Sequence, residues 1–243
     1  MIDFAQFSIF SNAFSGAFEL LRSGVLDVWT IVFTSLKVSS LAVSISLCMG
    51  IPLGYYLGTR RSVSRASALV FANAGMGLPP TVVGLFVSMM LSRRGPLGDW
   101  GLLYSQQAMI IAQVLIATPV IAAIVASGVS AVPAQLRLQV RSLGANRLQE
   151  AILTLKESRM SLFAALAAGF GSIISEVGAV QMVGGNLEGQ TRVMTTAIVQ
   201  FTRMGRYPEA VALATVLLLI IVVVNVFVTL GQTSADRHTK AVK

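Results

Sequence analysis

The sequence predicts an all-α membrane protein with about five transmembrane helices, and three observations carry that prediction. Apolar residues make up 55% of the 243 positions and charged residues only 12%, with a mean hydropathy of +0.77, well away from soluble globular composition. Five stretches, at about 28–57, 66–91, 108–132, 160–184 and 209–232, reach the roughly 20 apolar residues a helix needs to cross the hydrocarbon core. The basic residues fall almost entirely between those stretches, where they orient a membrane chain.

Residues 1–27 read as a segment lying on the membrane interface. Phe4, Phe7, Ile9, Phe10, Phe14 and Phe18 can line one side of a helix there. The segment lacks a basic leader region and is interrupted by Asp3 and Glu19, so it does not read as a cleavable signal. The first spanning helix is then expected to serve as the insertion signal.

The first span, 28–57, is apolar except for Lys37 and holds Cys48. A lone cysteine excludes disulfides within the chain and thiolate metal sites, and Cys48 reads as an apolar filler. The second span contains Pro79-Pro80 and the third Pro119; proline breaks and small residues within spans mark kinked, closely packed helices. The fourth span, 160–184, carries Glu176, the fifth, 209–232, carries Asn225, and residues 233–243 form a tail. Asn225 suits an interhelical hydrogen bond. The whole chain is expected to be one membrane domain, with a five-helix core at 28–232 and a polar loop at 134–159.

The net charge of +8 does not point to nucleic acid, because there is no basic face and no interleaving of aromatic residues. With the N-terminus outside, the inner segments carry Arg60, Arg61, Arg65, Arg137, Arg141, Arg147, Lys156, Arg159, Arg237, Lys240 and Lys243, against Arg22, Arg93, Arg94, Arg192, Arg203 and Arg206 outside. Eleven against six predicts an outer N-terminus and a cytoplasmic C-terminus. That orientation puts the basic stretch around 137–159, with Leu143-Gly144-Ala145 at its centre, in the cytoplasm. A short polar helix offered there suits a soluble partner.

No chemistry of its own is legible. The chain lacks the Gly-x-x-x-x-Gly-Lys-Ser/Thr phosphate loop, so ATP hydrolysis is not expected here. It also lacks HExxH, Gly-x-Ser-x-Gly and clustered His or Cys, and His238 stands alone in the tail, so no catalytic residue, resident cofactor or metal ligand is expected. Lys37 and Glu176 are the two charges in the interior of the five spans, Glu209 standing at the very start of the last. Intramembrane charges are costly and tend to face the bundle interior, which predicts that these two pair.

Arg141-Ser142-Leu143-Gly144-Ala145, followed by Asn146-Arg147, resembles the Leu-Gly-Ala heart of the cytoplasmic "EAA" loop of ABC importer permeases. Ser175-Glu176-Val177-Gly178-Ala179-Val180, continuing through Met182-Val183-Gly184-Gly185-Asn186 to Thr191-Arg192, resembles the oxyanion branch of that family, with tungstate permeases nearest and molybdate and sulfate permeases next. Leu78-Pro79-Pro80-Thr81 and Gly84 are similar to the same branch, and the likeness spans about 30–232. Two departures stand out: Leu138, Gln139 and Val140 occupy the Glu-Ala-Ala positions, and Leu155-Lys156 the usual Leu-Pro.

The resemblance implies a type I importer permease fold in the cell inner (plasma) membrane, and a permease subunit taking up a tetrahedral oxyanion, tungstate first. It implies a homodimer embedded in membrane lipid, two copies of a cytoplasmic ABC ATPase that carry ATP and Mg, and an extracytoplasmic oxyanion-binding protein. It also implies a coupling helix at about 142–153. Leu143, Leu148 and Ile152 would form its apolar stripe, Gly144 and Ala145 a tight turn or close approach, and Arg147 and Glu150 would be left to water or the partner's rim. Glu176, Gly178, Gly184, Gly185, Asn186, Thr191, Arg192 and Thr195, with Thr196 nearby, would line the anion path or its gate. The competing reading of the three glycines is close packing or a turn into the outer loop. Arg192, Arg203 and Arg206 would attract the anion or pair with a binding protein, or else serve as interface anchors. A secondary anion carrier would instead need inverted repeats and more intramembrane titratable groups, and it leaves the 137–159 stretch unexplained. A membrane scaffold or an integral enzyme is the third reading, and the missing catalytic constellation weighs against the enzyme.

Overall fold

The computed structural model describes residues 4–23, 26–59, 70 and 74–240, and every regular element among them is helical. In order they are α1 (Phe4–Ser23), α2 (Leu26–Thr59), α3 (Pro80–Leu91), α4 (Gln106–Ala131), α5 (Ala134–Ser142), α6 (Arg147–Glu157), α7 (Arg159–Ile174), α8 (Gly178–Gly184), α9 (Met194–Arg203) and α10 (Tyr207–Lys240). A 3-10 turn lies at Gly98–Trp100. Arg60, Arg61, Arg65, Lys243 and part of the expected 66–91 span lie outside the described residues, as do the side chains of Phe4, Phe7, Ile9, Phe10, Arg237 and Lys240.

Three of the expected spans are single apolar helices long enough to cross a membrane: Val28–Thr59, Gln106–Ala131 and Tyr207–Gln232. The other two differ from expectation. Within 66–91, residues 77–79 are not helical and α3 begins at Pro80. A proline pushes the residue before it out of the α region yet suits the first helical position, so Pro79-Pro80 starts a helix instead of kinking one. The expected 160–184 span is two helices, because α7 ends at Ile174 and α8 starts at Gly178. Glu176 sits in the break, and its Oε1 accepts from Ala179 N at 3.0 Å. A side chain that serves a helix's first N–H groups belongs at a helix start, not mid-span.

The described chain falls into two compact units. In the first (Met1–Leu41, Pro80–Gln113 and Ile174–Val223), α3 lies directly on α8: a Cβ at Gly84 would stand 2.5 Å from Ala179 Cα. Val87, Leu91, Met109, Val180 and Val183 are buried around that contact. A second apolar cluster joins Val28, Ile31 and Val32 of α2 to Met194, Ala197 and Phe201 of α9 and to Leu213 of α10. Ser35 Oγ accepts from Met194 N at 2.7 Å, so the start of α9 is satisfied by a side chain of α2.

The second unit (Ala42–Pro79, Val114–Ile173 and Val224–Lys243) is organised by a glycine stripe. Gly50, Gly54 and Gly58, four apart on α2, face Ile121, Val125 and Val129, four apart on α4. A Cβ at any of the three would fall 2.7 Å from the facing side chain. In lipid, helices associate through packing of this kind, since lipid tails are as apolar as leucine. The sequence reading noted small residues in the spans without recognising this period.

Candidate functional site

The Leu143-Gly144-Ala145 segment is a turn between two helices, not part of the single 142–153 helix that was expected. Gly144, at φ +86°, ends α5: Gly144 N donates to Arg141 O at 2.9 Å and Ala145 N to Val140 O at 3.2 Å. This is the two-bond glycine stop that satisfies a helix's last carbonyls. Asn146 then starts α6 through a reciprocal cap, with Gln149 N on Asn146 Oδ1 at 2.9 Å and Asn146 N on Gln149 Oε1 at 2.8 Å. A stop followed at once by a start explains why the helix breaks here. A Cβ on Gly144 would meet nothing within 4 Å, so the backbone angle, not crowding within the chain, calls for glycine.

Of the expected apolar stripe, Leu143 lies in the turn and Leu148 and Ile152 on α6. Leu143 is 87% exposed, Leu148 68% and Ile152 46%. Arg147 is exposed as well, but Glu150 is not left to water. It is buried (3% exposed), and its Oε2 accepts from Arg141 Nε at 2.6 Å. The bond ties α5 to α6 across the turn. Hydrogen bonding to Glu150, and then its charge, hold the Arg141 guanidinium above its ordinary value. Glu150 also anchors Thr154, whose hydroxyl donates to Glu150 O at 2.8 Å.

Lys37 and Glu176 do not form the expected pair. Lys37 lies on an exposed face of α2, while the Glu176 carboxylate is engaged at the start of α8. The Thr195 hydroxyl donates to Glu176 O at 3.0 Å, and a Cβ at Gly178 would collide with Thr81 Cγ2. Glu176, Gly178 and Thr195 are therefore parts of one tight joint among α3, α8 and α9.

The other residues expected along an anion path separate into three groups. Thr191 is buried (2% exposed), and its Oγ1 donates to Gly184 O at 2.5 Å and accepts from Leu187 N at 2.9 Å. Gly184 itself is packed against Met109 Sδ, 2.8 Å from where its Cβ would be. Both serve the backbone of the turn, and the Thr196 hydroxyl likewise serves Val193 N and O. The second group is a cation and acid cluster: Arg192 pairs with Glu188 at 3.3 Å, Arg206 with Glu209 at 2.8 Å, and both guanidinium groups sit over the Phe201 ring at 6.0 and 4.6 Å. Each of these arginines is balanced by an acid.

The third group is a polar pocket of about 260 Å³ that brings Gly185 and Asn186 together with Gln181, Gln200 and Arg203. Gly185 (φ +70°) ends α8 in the left-handed conformation, and Asn186 follows at φ +53°. Asn186 Nδ2 donates to Gln200 Oε1, while Asn186 Oδ1 is enclosed without a partner. Sequence reasoning missed Gln200 and Gln181. Polar residues on the short helices that flank a Gly-Gly-Asn turn were the available signal.

Comparison with known proteins agrees with this architecture. The family described as "Binding-protein-dependent transport system inner membrane component" matches residues 50–241. The chain is 42% identical over 216 residues to the "Tungstate uptake system permease protein TupB" of Peptoclostridium acidaminophilum, covering 88% of this chain and 94% of that one. It is 38% identical to a "Probable anion ABC transporter permease protein" of Haloferax volcanii, covering 86% and 90%. A chain of the inward-facing MetNI methionine ABC transporter superposes with a TM-score of 0.67 at 18% identity, covering 93% of this chain and 98% of that one, which is a likeness of fold. With its helices, its exposed turn and these matches in agreement, the chain belongs to the family of inner-membrane components of binding-protein-dependent transport systems.

Proposed function

We propose that this chain is the membrane-spanning subunit of an ABC importer for a tetrahedral oxyanion, tungstate first. Two copies would surround one path, each with a separate cytoplasmic ATPase docked on the 143–146 turn, and an outer binding protein would deliver the anion. The observation that carries this reading is the turn itself, an ordered tip that presents Leu143 and Leu148 to solvent while an ion pair, buried at its Glu150 end and exposed at Arg141, braces it. Apolar side chains held rigidly outside the membrane suit a groove on a partner. The loop charges support a cytoplasmic placement of the turn and an outer N-terminus.

The Asn186, Gln200 and Arg203 pocket suits the anion path better than the balanced Arg192 and Arg206 cluster. One cation among neutral amides holds an anion weakly, as release requires. The TupB relative supports tungstate over other oxyanions.

The test is ATP hydrolysis by the chain reconstituted with its ATPase and binding protein, comparing tungstate, molybdate and sulfate. Loaded binding protein should stimulate hydrolysis with tungstate best, and Leu143→Asp should remove most of that stimulation. Anion flux through the chain alone, without ATP, would overturn the reading in favour of a carrier.

A further inference from the structure

Within the second unit, the end of α2 and helices α5 and α6 enclose a cleft of about 370 Å³, lined by Tyr55, Thr59, Arg137, Arg141, Arg147 and Glu150. Three arginines against one carboxylate leave a formal charge of 3 − 1 = +2. The carboxylate is already engaged, since Glu150 Oε2 receives Arg141 Nε at 2.6 Å. Arg137 is the unusual member: its Nε is enclosed and has no hydrogen-bond partner. A buried donor without an acceptor is unfavourable, and a planar guanidinium matches the oxygens of a tetrahedral anion.

We propose that this cleft binds a tetrahedral oxyanion group, with Arg137 and Arg147 as its cationic contacts and the Arg141–Glu150 pair as a fixed wall. Two sources carry the same chemistry. One is a free anion of the phosphate, tungstate or molybdate type, and the other is the phosphate of a lipid headgroup, since Tyr55 and Thr59 end a membrane-spanning helix and basic clefts there receive such headgroups. The site shares no lining residue with the Asn186 pocket, and its Arg141 and Arg147 flank the 143–146 turn in the chain. Only the naming of tungstate as an occupant rests on the proposed function.

The experiment uses the chain purified in a maltoside detergent, which contains no phosphate, without ATPase or binding protein. Orthophosphate and tungstate are titrated by equilibrium dialysis at low salt, and retained phospholipid is read by native mass spectrometry. Saturable anion binding that weakens about tenfold in Arg137→Gln and recovers in part in Arg137→Lys identifies a free-anion site. Retained phospholipid that is lost in Arg137→Gln, without free-anion binding, identifies a headgroup site. Equal anion binding and equal lipid retention in the wild type and in Arg137→Gln, or neither in both, overturns the proposal. Arg147→Gln, changed at an exposed position, carries the same comparison if Arg137→Gln does not fold. Orthophosphate binding does not depend on which anion is transported, so a wrong substrate assignment leaves this result readable.

Discussion

Gly144 shows most clearly what a single residue contributes. Its φ of +86° is open to glycine and, among other residues, chiefly to asparagine and aspartate. Its missing side chain faces open space within the chain. Two explanations of the glycine make different predictions. If only the backbone angle matters, Gly144→Asn keeps most of the stimulated ATP hydrolysis, while Gly144→Val, strained by about 1–3 kcal/mol, loses it. If a partner's backbone must also approach, both substitutions lose it alike. We expect the first pattern, measured as hydrolysis stimulated by loaded binding protein at equal complex yield. Glu150 gives a second test at this scale. It is nearly inaccessible and holds Arg141, so Glu150→Ala should loosen the turn and lower coupling several-fold, whereas Glu157→Ala, at an exposed end of α6, should not. The Arg141 side of the pair does not titrate in the neutral range. A cation raised in the fold contributes at every pH below its unfolded value and loses that contribution only as pH climbs past the raised one, and the Arg141 guanidinium is held above its already strongly basic ordinary value. The loop motif and the exposure of Leu143 and Leu148 were legible from the sequence because they depend on local pattern. The burial of Glu150 was not, since it depends on Arg141 nine residues earlier, across a turn that first had to be recognised. Lys37 and Glu176 failed for a related reason. Charge rarity within apolar runs says that a group needs a partner, but the partner Glu176 took is the backbone of its own chain, three residues ahead.

At the scale of elements, the apolar runs at 28–57, 108–132 and 209–232 were readable as helices because each is long and predominantly lipid-compatible, with no break in its helical period. The runs at 66–91 and 160–184 were each read as one span, the first kinked at its prolines and the second interrupted by Glu176, because hydropathy does not register where backbone groups find their partners. Pro80 and the Glu176 carboxylate decide those boundaries, the proline by restricting the backbone before it and the carboxylate by accepting from Ala179 N. The glycine stripe Gly50, Gly54, Gly58 acts through contact instead. A Cβ at Gly54 would stand 2.7 Å from both the Ala122 carbonyl oxygen and Val125 Cβ, and a backbone oxygen has no rotamer through which to yield. Gly54→Val should therefore separate α2 from α4 and destabilise the chain by about 1–3 kcal/mol, read as a lower melting temperature in detergent. Gly171→Ala, on α7 where an added Cβ would meet nothing within 4 Å, should be neutral or slightly stabilising, because alanine is the better helix former. Equal losses at both positions would show that any side chain on these helices disturbs the bundle and that the stripe has no special role.

For the whole molecule, the orientation in the membrane ties the local features to a direction of transport. On the proposed function, the turn docks a cytoplasmic ATPase and the polar pocket receives an anion from an outer binding protein, so the two would have to face opposite compartments. The argument for their placement is the charge of the loops, eleven basic residues against six, a bias that acts during insertion and leaves no mark on internal packing. The lone cysteine makes the test simple. With Cys48 replaced by Ser, single cysteines can be placed at Leu143, 87% exposed at the docking turn, and at Gly189, at φ +70° with open space where its Cβ would be. Because a side chain is strained at Gly189, the neighbouring exposed Gln190 serves as a second outer position. In intact cells, a membrane-impermeant maleimide should label Gly189→Cys and Gln190→Cys and leave Leu143→Cys unmodified until the membrane is opened. The reverse pattern would put the turn outside, where no cytoplasmic ATPase reaches it. That single result would remove the docking role of Leu143 and Leu148 together with the proposed import.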